Sequence, residues 1–243
     1  MKKCILLFVF AMPVALFFGC KKDNNSGGPV NLSPSCKIIE GTDNKGSRYT
    51  YEYNLSGKVT KITGYDSTGS IVSNHTLNYF SDRIISTMNF EGDSFETSFF
   101  LNSTGNVMKR LENFSTSNDT TEYEYDSEGC LYKEKSRYSI TTYEYSNGNR
   151  IKGTTVSSGT SAPTYEYYEY YTGKLNNHEE FIQIIPMGKK DKNLIKKSSN
   201  PYFISEYVYV ENEKGQIAST TITHTEPGKA PQTFVSNYTY KCN

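Results

Sequence analysis

The chain has 243 residues, and its 26 Lys and Arg residues equal its 26 Asp and Glu residues in number. This balance gives no electrostatic reason to expect nucleic acid or anionic lipid as a partner. The chain contains 21 Tyr, 13 Phe and no Trp. Tyr together with abundant Thr and Ser is typical of strands exposed on one face, so the composition predicts an all-β protein.

The chain begins with a targeting segment. Lys2 and Lys3 form a basic start, and Cys4 to Phe18 is almost wholly apolar. This run is too short to span a bilayer comfortably as a mature helix, so it predicts a signal peptide. It ends in Gly19-Cys20, and a small residue before a cysteine at the end of an apolar run resembles the lipobox of bacterial lipoproteins.

The lipobox resemblance implies that residues 1–19 are removed and that Cys20 carries the lipid anchor. Multiple acyl chains anchor stably, because each buried methylene contributes roughly 0.8 kcal/mol. Phe17 stands where the lipoprotein family usually has Leu. An ordinary secretory peptide with a chance cysteine is the alternative.

Residues 20–35 are predicted to form the acylated cysteine and a flexible tether, because Lys21 to Pro34 is polar, rich in Gly, Pro and Ser, and without periodicity. The charged residues after Cys20 are similar to tags that send Bacteroidetes-type lipoproteins to the outer face of the outer membrane. We therefore expect a cell-surface location, with the periplasmic face as the alternative. A single β domain, 36–243, follows.

Three cysteines fall in this domain: Cys36, Cys130 and Cys242. Three cysteines allow three pairings. Cys36 begins the domain and Cys242 nearly ends it, so a disulfide that joins the first strand to the last is attractive in an oxidising envelope. Cys130, beside a turn glycine, would then be a free thiol.

One hairpin unit, Thr121 to Lys133 (TEYEYDSEGCLYK), shows the pattern of the whole domain. Tyr123 and Tyr125 alternate with glutamates, so on a strand the rings share one face. Asp126 at the first turn position and Gly129 at the fourth predict a type I turn whose last residue takes positive φ. The unit is therefore strand, tight turn, strand.

Copies of this unit recur along the chain, and self-similarity on this scale predicts a repeat architecture. The other copies are Tyr49 to Ile62, Tyr65 to Ile71, His75 to Met88, Phe95 to Lys109, Thr141 to Ile151, Tyr165 to Leu175 and Glu206 to Ile217, and Phe234 to Cys242 supplies a closing strand. Lys174 to Tyr202 breaks the pattern. Within it, Phe181 to Ile185 predicts a buried strand or a short helix, and Lys189 to Lys197 predicts a solvated loop.

Short connections between consecutive strands favour antiparallel neighbours. The sequence therefore predicts an up-and-down meander of roughly fourteen to sixteen strands. A sheet this wide must curl because of its twist, so we expect a strongly curved sheet that forms a partial barrel or a complete one. The face opposite the rings carries Glu, Lys, Asn and Thr, where a transmembrane barrel needs an apolar band.

The units YEYNLSGKV, YEYDSEGCL and YVYVENEKGQI resemble the tyrosine–aspartate (YD) repeats of Rhs-type proteins. Tyr125-Asp126 keeps the dipeptide with its glycine, whereas Lys58 and Gln216 replace the usual Arg. The whole chain is similar to a family of Bacteroidetes lipoproteins of unknown function with a porin-like curled β-sheet. This resemblance implies a fold and a location, and no reaction.

The sequence contains no catalytic motif. The three histidines are His75, His178 and His224. They are far apart and lack metal-ligand spacing, so we predict no metal and no cofactor. Two carboxylate pairs could mimic a glycosidase: Glu122 with Glu124, and Glu166 with Glu169. Because every repeat places Glu between its tyrosines, cross-strand pairing with Lys or Arg on the solvent face is the preferred interpretation.

Aromatic residues crowd one strand and supply the hint of a ligand. Both odd and even positions are used, so rings must appear on both faces: Tyr165, Tyr167, Tyr168, Tyr170 and Tyr171. One set should be core, and the exposed set could stack on sugars or dock a partner. Edge-strand tyrosines that cover the sheet are the alternative.

Three functions follow from these observations. The first is a membrane-anchored, monomeric surface protein that binds a glycan or an envelope protein without catalysis. The second is an envelope carrier that holds a lipid or other apolar ligand in an open, apolar concavity. The third, a glycan-active enzyme, requires a polar cluster in a cleft.

Overall fold

A computed structural model describes residues 36–114, 117–160, 162–176 and 184–242. The predicted signal peptide, Cys20 and the tether lie outside the described residues, as do His178 and most of Phe181 to Ile185. The described residues form sixteen strands and no helix. The strands are β1 (Cys36–Asp43), β2 (Arg48–Tyr53), β3 (Val59–Tyr65), β4 (Ile71–Tyr79), β5 (Arg83–Phe90), β6 (Asp93–Leu101), β7 (Val107–Phe114), β8 (Ser117–Tyr125), β9 (Leu131–Ser136), β10 (Ser139–Ser146), β11 (Asn149–Ser157), β12 (Thr164–Leu175), β13 (Asn193–Asn200), β14 (Phe203–Glu211), β15 (Ile217–Thr225) and β16 (Gln232–Cys242).

The predicted antiparallel meander is confirmed. Each strand pairs with its neighbours in sequence, and β1 pairs with β16, so the sheet closes into a complete barrel. Of the two expected forms, the sheet adopts the complete barrel, which leaves no unpaired edge among the described strands, the feature that otherwise invites aggregation.

The hairpin turn of the repeat is built as its residues predict. The Asp126 carboxylate accepts hydrogen bonds from the N–H groups of Glu128 and Cys130 at 2.9 and 2.8 Å. Gly129 takes a φ of 85°, and a one-residue bulge follows beside Tyr125. The connection is a type I turn with a glycine bulge, whose twist matches that of the strands.

A disulfide joins the first strand to the last. Cys36 and Cys242 are direct cross-strand partners, and a bond links their sulfur atoms across a sequence separation of 206 residues. Cys130 is fully buried beside the turn glycine and takes no part in this bond.

The apolar core gathers at one end of the barrel. Nearly every odd-numbered strand has a buried aliphatic residue near its start: Ile38, Val59, Ile84, Val107, Leu131, Leu194 and Ile217. In the hairpin repeat this residue follows the turn glycine by two positions, as Leu131 follows Gly129. β11 departs from the rule, because Arg150 occupies that position.

Candidate ligand-binding lumen

The barrel is closed at the end where the odd-numbered strands begin. Residues 184–192, the plug segment, precede β13 and form neither a helix nor a strand. Backbone hydrogen bonds tie the plug segment to the barrel rim: the Val107 N–H donates to Pro186, Lys189 donates to Gly129, and Lys192 donates to Gly148, at 2.8 to 3.0 Å. We call this end the plugged end.

The plug segment covers the apolar ends of the odd-numbered strands. Ile184 and Ile185 pack against the cluster of Val59, Leu77 and Ile84. Met187 is buried with Val107, Tyr123 and Leu131. The apolar surface at this end is therefore covered by the plug segment. We call the plug segment and the apolar residues beneath it the floor of the barrel.

The opposite end has only short connections between its described strands. The longest, between β11 and β12 and between β15 and β16, have six residues. Six extended residues span at most about 20 Å, so a turn that leaves the rim and returns to it reaches about 10 Å across the opening. Sixteen strands about 4.8 Å apart give a circumference of roughly 75 Å and a diameter of roughly 24 Å. The described turns are too short to cover this opening, which we call the open end.

A tyrosine near the end of an even-numbered strand anchors five of the hairpins to the preceding strand. Five hydroxyls donate to backbone carbonyls at 2.6 to 2.8 Å: Tyr53 to Ile38, Tyr79 to Val59, Tyr125 to Val107, Tyr145 to Leu131, and Tyr240 to Ile217. Each acceptor belongs to the buried aliphatic residue near the start of the preceding strand, at the plugged end. These tyrosines are therefore structural.

The tyrosines nearer the open end line the lumen. We call them the tyrosine belt: Tyr51, Tyr123, Tyr143, Tyr168, Tyr207 and Tyr238. They come from β2, β8, β10, β12, β14 and β16, while Leu77 and Phe99 stand at the same height on β4 and β6. Burial raises the pKa of every hydroxyl in the belt, so these groups are neutral hydrogen-bonding groups at neutral pH.

Glycines make room for inward-facing rings. Gly153 pairs with Tyr143 across β10 and β11, and a Cβ there would lie 3.5 Å from the ring. Gly64 pairs with Tyr49, and a Cβ there would lie 3.2 Å from that ring. The absence of a side chain lets each ring lie against the wall instead of projecting across the lumen.

A charged cluster interrupts the belt on β9 to β12. The Arg150 guanidinium carbon lies 4.8 Å from the centre of the Tyr143 ring and 4.7 Å from that of Tyr168. Tyr143 donates to Glu134 at 3.3 Å, and Tyr168 donates to Glu166 at 2.8 Å. A cation held between two aromatic rings, with carboxylates on their hydroxyls, gives a polar wall suited to a ligand rich in hydroxyl groups.

Asp191 of the plug segment compensates the charge of Arg150. Asp191 is 1% exposed, and its carboxylate accepts the backbone N–H of Arg150 at 2.6 Å. Burial acts to lower the pKa of the Arg150 guanidinium, but Tyr168 and Asp191 outweigh it and raise that pKa. Arg150 therefore remains charged and joins the plug segment to the lumen wall.

Ion pairs cover the outer face. Glu124 lies 2.7 Å from Lys133, and Glu122 lies 3.6 Å from Lys135. Glu169 lies 3.9 Å from Lys197 on the outside, whereas Glu166 bonds Tyr168 on the inside. The cross-strand interpretation therefore holds for Glu122, Glu124 and Glu169. Glu166 and Glu169 face opposite sides of the wall and cannot act together on one bond.

The five crowded tyrosines of β12 divide between the two faces. Tyr165 and Tyr167 are 37% and 51% exposed on the outer face, with ring centres 6.5 Å apart. Tyr168, Tyr170 and Tyr171 face inward and pack beside Leu194 and Tyr209. A bulge beside Tyr170 places Tyr171 inside as well.

Two of the three histidines, His75 and His224, lie in described strands of the barrel wall. His75 hydrogen-bonds Ser86 at 2.5 Å, and His224 hydrogen-bonds Ser205 at 3.0 Å. No group of three metal-ligating side chains occurs among the described residues. Within the same residues, no helix has the length and apolar character needed to cross a bilayer.

An up-and-down barrel of sixteen antiparallel strands belongs to the porin-like class of folds. The chain is similar to a porin-like protein from Bacteroides uniformis ATCC 8492, with a TM-score of 0.58 and 16% identity over 84% of this chain and 96% of that one. The chain is also similar to a porin-like protein from Bacteroides vulgatus ATCC 8482, with a TM-score of 0.53 and 12% identity over 84% of this chain and 99% of that one. These likenesses show the fold. No protein-family model and no curated protein matches the chain.

Sequence reasoning missed Arg150 and the plug segment. The repeat itself holds the signal for Arg150: aligned by the turn glycine, Val59, Val107, Leu131 and Ile217 share its position. A charge at an aliphatic position of a repeat is the kind of local inconsistency that marks a special site. No periodicity identifies the plug segment, because its contacts are with turns far away in sequence.

Proposed function

We propose that this chain is a lipid-anchored envelope protein that binds a glycan-like ligand in its lumen without catalysis. The observation that carries the proposal is the tyrosine belt, set in a barrel that is closed at one end and open at the other. Aromatic faces stack on sugar rings, and the hydroxyl, guanidinium and carboxylate groups beside them can bond sugar hydroxyls.

The location is part of the same proposal. The Gly19-Cys20 lipobox, the polar tether and the charged outer face support a domain held outside the bilayer by acyl chains. The hairpin turns and the Tyr-x-Tyr pattern likewise support a relation to YD repeats. The boundaries 1–19, 20–35 and 36–243 follow from these features.

The lumen is a better place for the ligand than the outer tyrosines. The inward set has rings, hydroxyls and charges together, and Arg150 lies between two of its rings. The outer pair, Tyr165 and Tyr167, has Lys152 over Tyr165 at 5.0 Å and no comparable set of converging groups among the described residues. An apolar carrier is less suited, because the plug segment already covers the apolar residues of the floor.

One strand supplies matched variants for the test. Tyr168→Ala removes an inward ring, and Tyr167→Ala removes an outward ring one residue away. On a glycan array followed by titration calorimetry, we expect Tyr168→Ala to weaken binding about tenfold and Tyr167→Ala to leave it unchanged. The reverse order would place the ligand on the outer face.

Native mass spectrometry of the protein purified without detergent separates the remaining functions. A retained lipid-sized adduct would favour the apolar carrier over the glycan binder. Conversion of a bound oligosaccharide to shorter products would contradict the absence of catalysis.

A further inference from the structure

Lysines surround the disulfide at the plugged end. Lys37 and Lys241 are direct cross-strand partners on β1 and β16, and the Lys214 amine lies 3.9 Å from the Cys242 sulfur. A Cβ on Gly57 would lie 3.2 Å from the Lys37 amine, so Lys37 reaches the turn that leads to Lys58. We call Lys37, Lys58, Lys214 and Lys241 the basic collar.

Pairing with acidic residues does not account for the collar, although the Lys37 and Lys58 amines also lie over the Tyr53 and Tyr79 rings, at 5.2 and 4.9 Å. Like charges directly opposite on neighbouring strands destabilise a sheet, and elsewhere on the outer face lysines lie near glutamates. Within residues 36–38, 54–58, 212–216 and 240–242, Glu213 is the one acidic residue. The described connections at the open end instead have three basic and three acidic residues.

An apolar side chain projects beside the collar. Leu55 is fully exposed at the tip of the turn between β2 and β3, three residues before Lys58. Exposed apolar residues flanked by lysines are the composition of a surface that rests at a membrane interface.

The chain also enters the barrel within the collar. Cys36, one half of the disulfide, directly precedes Lys37, and Cys20 precedes Cys36 by sixteen residues. A flexible segment of that length has a root-mean-square span of roughly 20 to 25 Å. If Cys20 is acylated, as proposed above, the collar is the part of the barrel nearest to the bilayer.

We propose that the basic collar docks the plugged end of the barrel onto a bilayer surface rich in anionic headgroups, with Leu55 entering the interface. The open end then faces away from the membrane. The overall charge balance of the chain conceals this surface, because the compensating acids lie elsewhere.

Vesicle binding without the anchor tests the proposal. The mature chain, residues 20–243 with Cys20→Ser, is produced in an oxidising compartment and sedimented with vesicles of phosphatidylcholine, with and without phosphatidylglycerol. We expect binding to the anionic vesicles alone, and loss of that binding in high salt. Equal binding to both vesicles, or to neither, would overturn the proposal.

Two sets of charge variants locate the surface. Lys37→Gln with Lys214→Gln and Lys241→Gln should weaken vesicle binding at least tenfold. The control, Lys45→Gln with Arg137→Gln and Lys229→Gln at the open end, should leave it unchanged, and an equal loss there would refute docking by the collar. Leu55→Ser, which changes no charge, should weaken binding about threefold and tests the same face if the triple variant does not fold.

The readout is independent of the luminal ligand. Failure of vesicle binding leaves the glycan proposal standing, and failure on the glycan array leaves the docking proposal standing.

Discussion

The two ends of the barrel use the same hairpin chemistry for different purposes. At the plugged end, tyrosine hydroxyls bond the starts of preceding strands, aliphatic residues are buried, and the plug segment and the disulfide close the structure. At the open end, turns such as Asp66 to Ser70 are held by hydrogen bonds from their own backbone to the Asp66 carboxylate. Stability is therefore concentrated at one end, which leaves the other free for access to the lumen.

Removal of the disulfide should have the largest effect at the plugged end. Cys36→Ser with Cys242→Ser releases a loop closed over 206 residues, and the chain-entropy model gives a loss of about 5 kcal/mol in the free energy of unfolding. Urea unfolding followed by circular dichroism measures it. A loss below about 1 kcal/mol would mean that pairing of β1 with β16 holds without the covalent link.

Asp191→Asn should come next. The variant keeps an oxygen that can accept the Arg150 N–H but removes the charge that compensates the guanidinium. Loss of one partner of a buried charge pair typically costs about 3 kcal/mol.

The double variant with Arg150→Leu supplies the control for Asp191→Asn. It restores the aliphatic residue of the repeat and should recover most of the lost stability. If Asp191→Asn alone unfolds at the same urea concentration as the wild type, Asp191 does not hold the plug segment.

Glycine substitutions compare the two ends directly. Gly188 and Gly69 both take positive φ, 95° and 86°, so alanine costs about 1 to 2 kcal/mol in strain at either site. At Gly188 a Cβ would also lie 2.8 Å from the Gly129 oxygen and from the Tyr125 ring, whereas at Gly69 it would meet nothing within 4 Å. We expect Gly188→Ala to lower the melting temperature at least twice as much, and equal shifts would contradict tight packing of the plug segment.

High pH should weaken the plugged end gradually. Burial raises the pKa of Tyr53 and Tyr79 to about 12, so the unfolded chain loses these protons at lower pH than the folded chain. Their contribution to stability is present below pH 10 and is lost as the pH rises towards 12. Urea midpoints measured across this window should fall, with tyrosinate absorbance rising on unfolding. A flat midpoint would show that these hydroxyls ionise freely in the fold.

Local chemistry made much of the fold predictable. Tyr123, Tyr125, Asp126 and Gly129 specify a strand, its inner face and its turn within seven residues, and repetition of that unit leads to an antiparallel meander. Closure was not specified in the same way, because it depends on how twist accumulates over sixteen strands.

The candidate site was less predictable, because its contacts join distant residues. Arg150 contacts Asp191, although β12 lies between the two residues in the chain. The Tyr168 ring is inside the barrel, whereas its neighbour Tyr167 is outside. Which side chains of β12 point inward around the bulge at Tyr170 depends on the pairing with β13, and the sequence of β12 alone does not determine that pairing. The basic collar was hidden for a related reason, since total charge does not record position.

The bonds from tyrosine hydroxyls to the preceding strand also bear on how such a protein can change through evolution. A hairpin with such a tyrosine is fastened to the preceding strand by its own residue, so duplication of that hairpin copies the fastening together with the strands. One additional copy would widen the circumference by about 10 Å. The plug segment has a fixed reach, so a wider descendant would acquire a gap beside it and become a pore. A plugged barrel and a channel would in this sense differ in the number of hairpin copies.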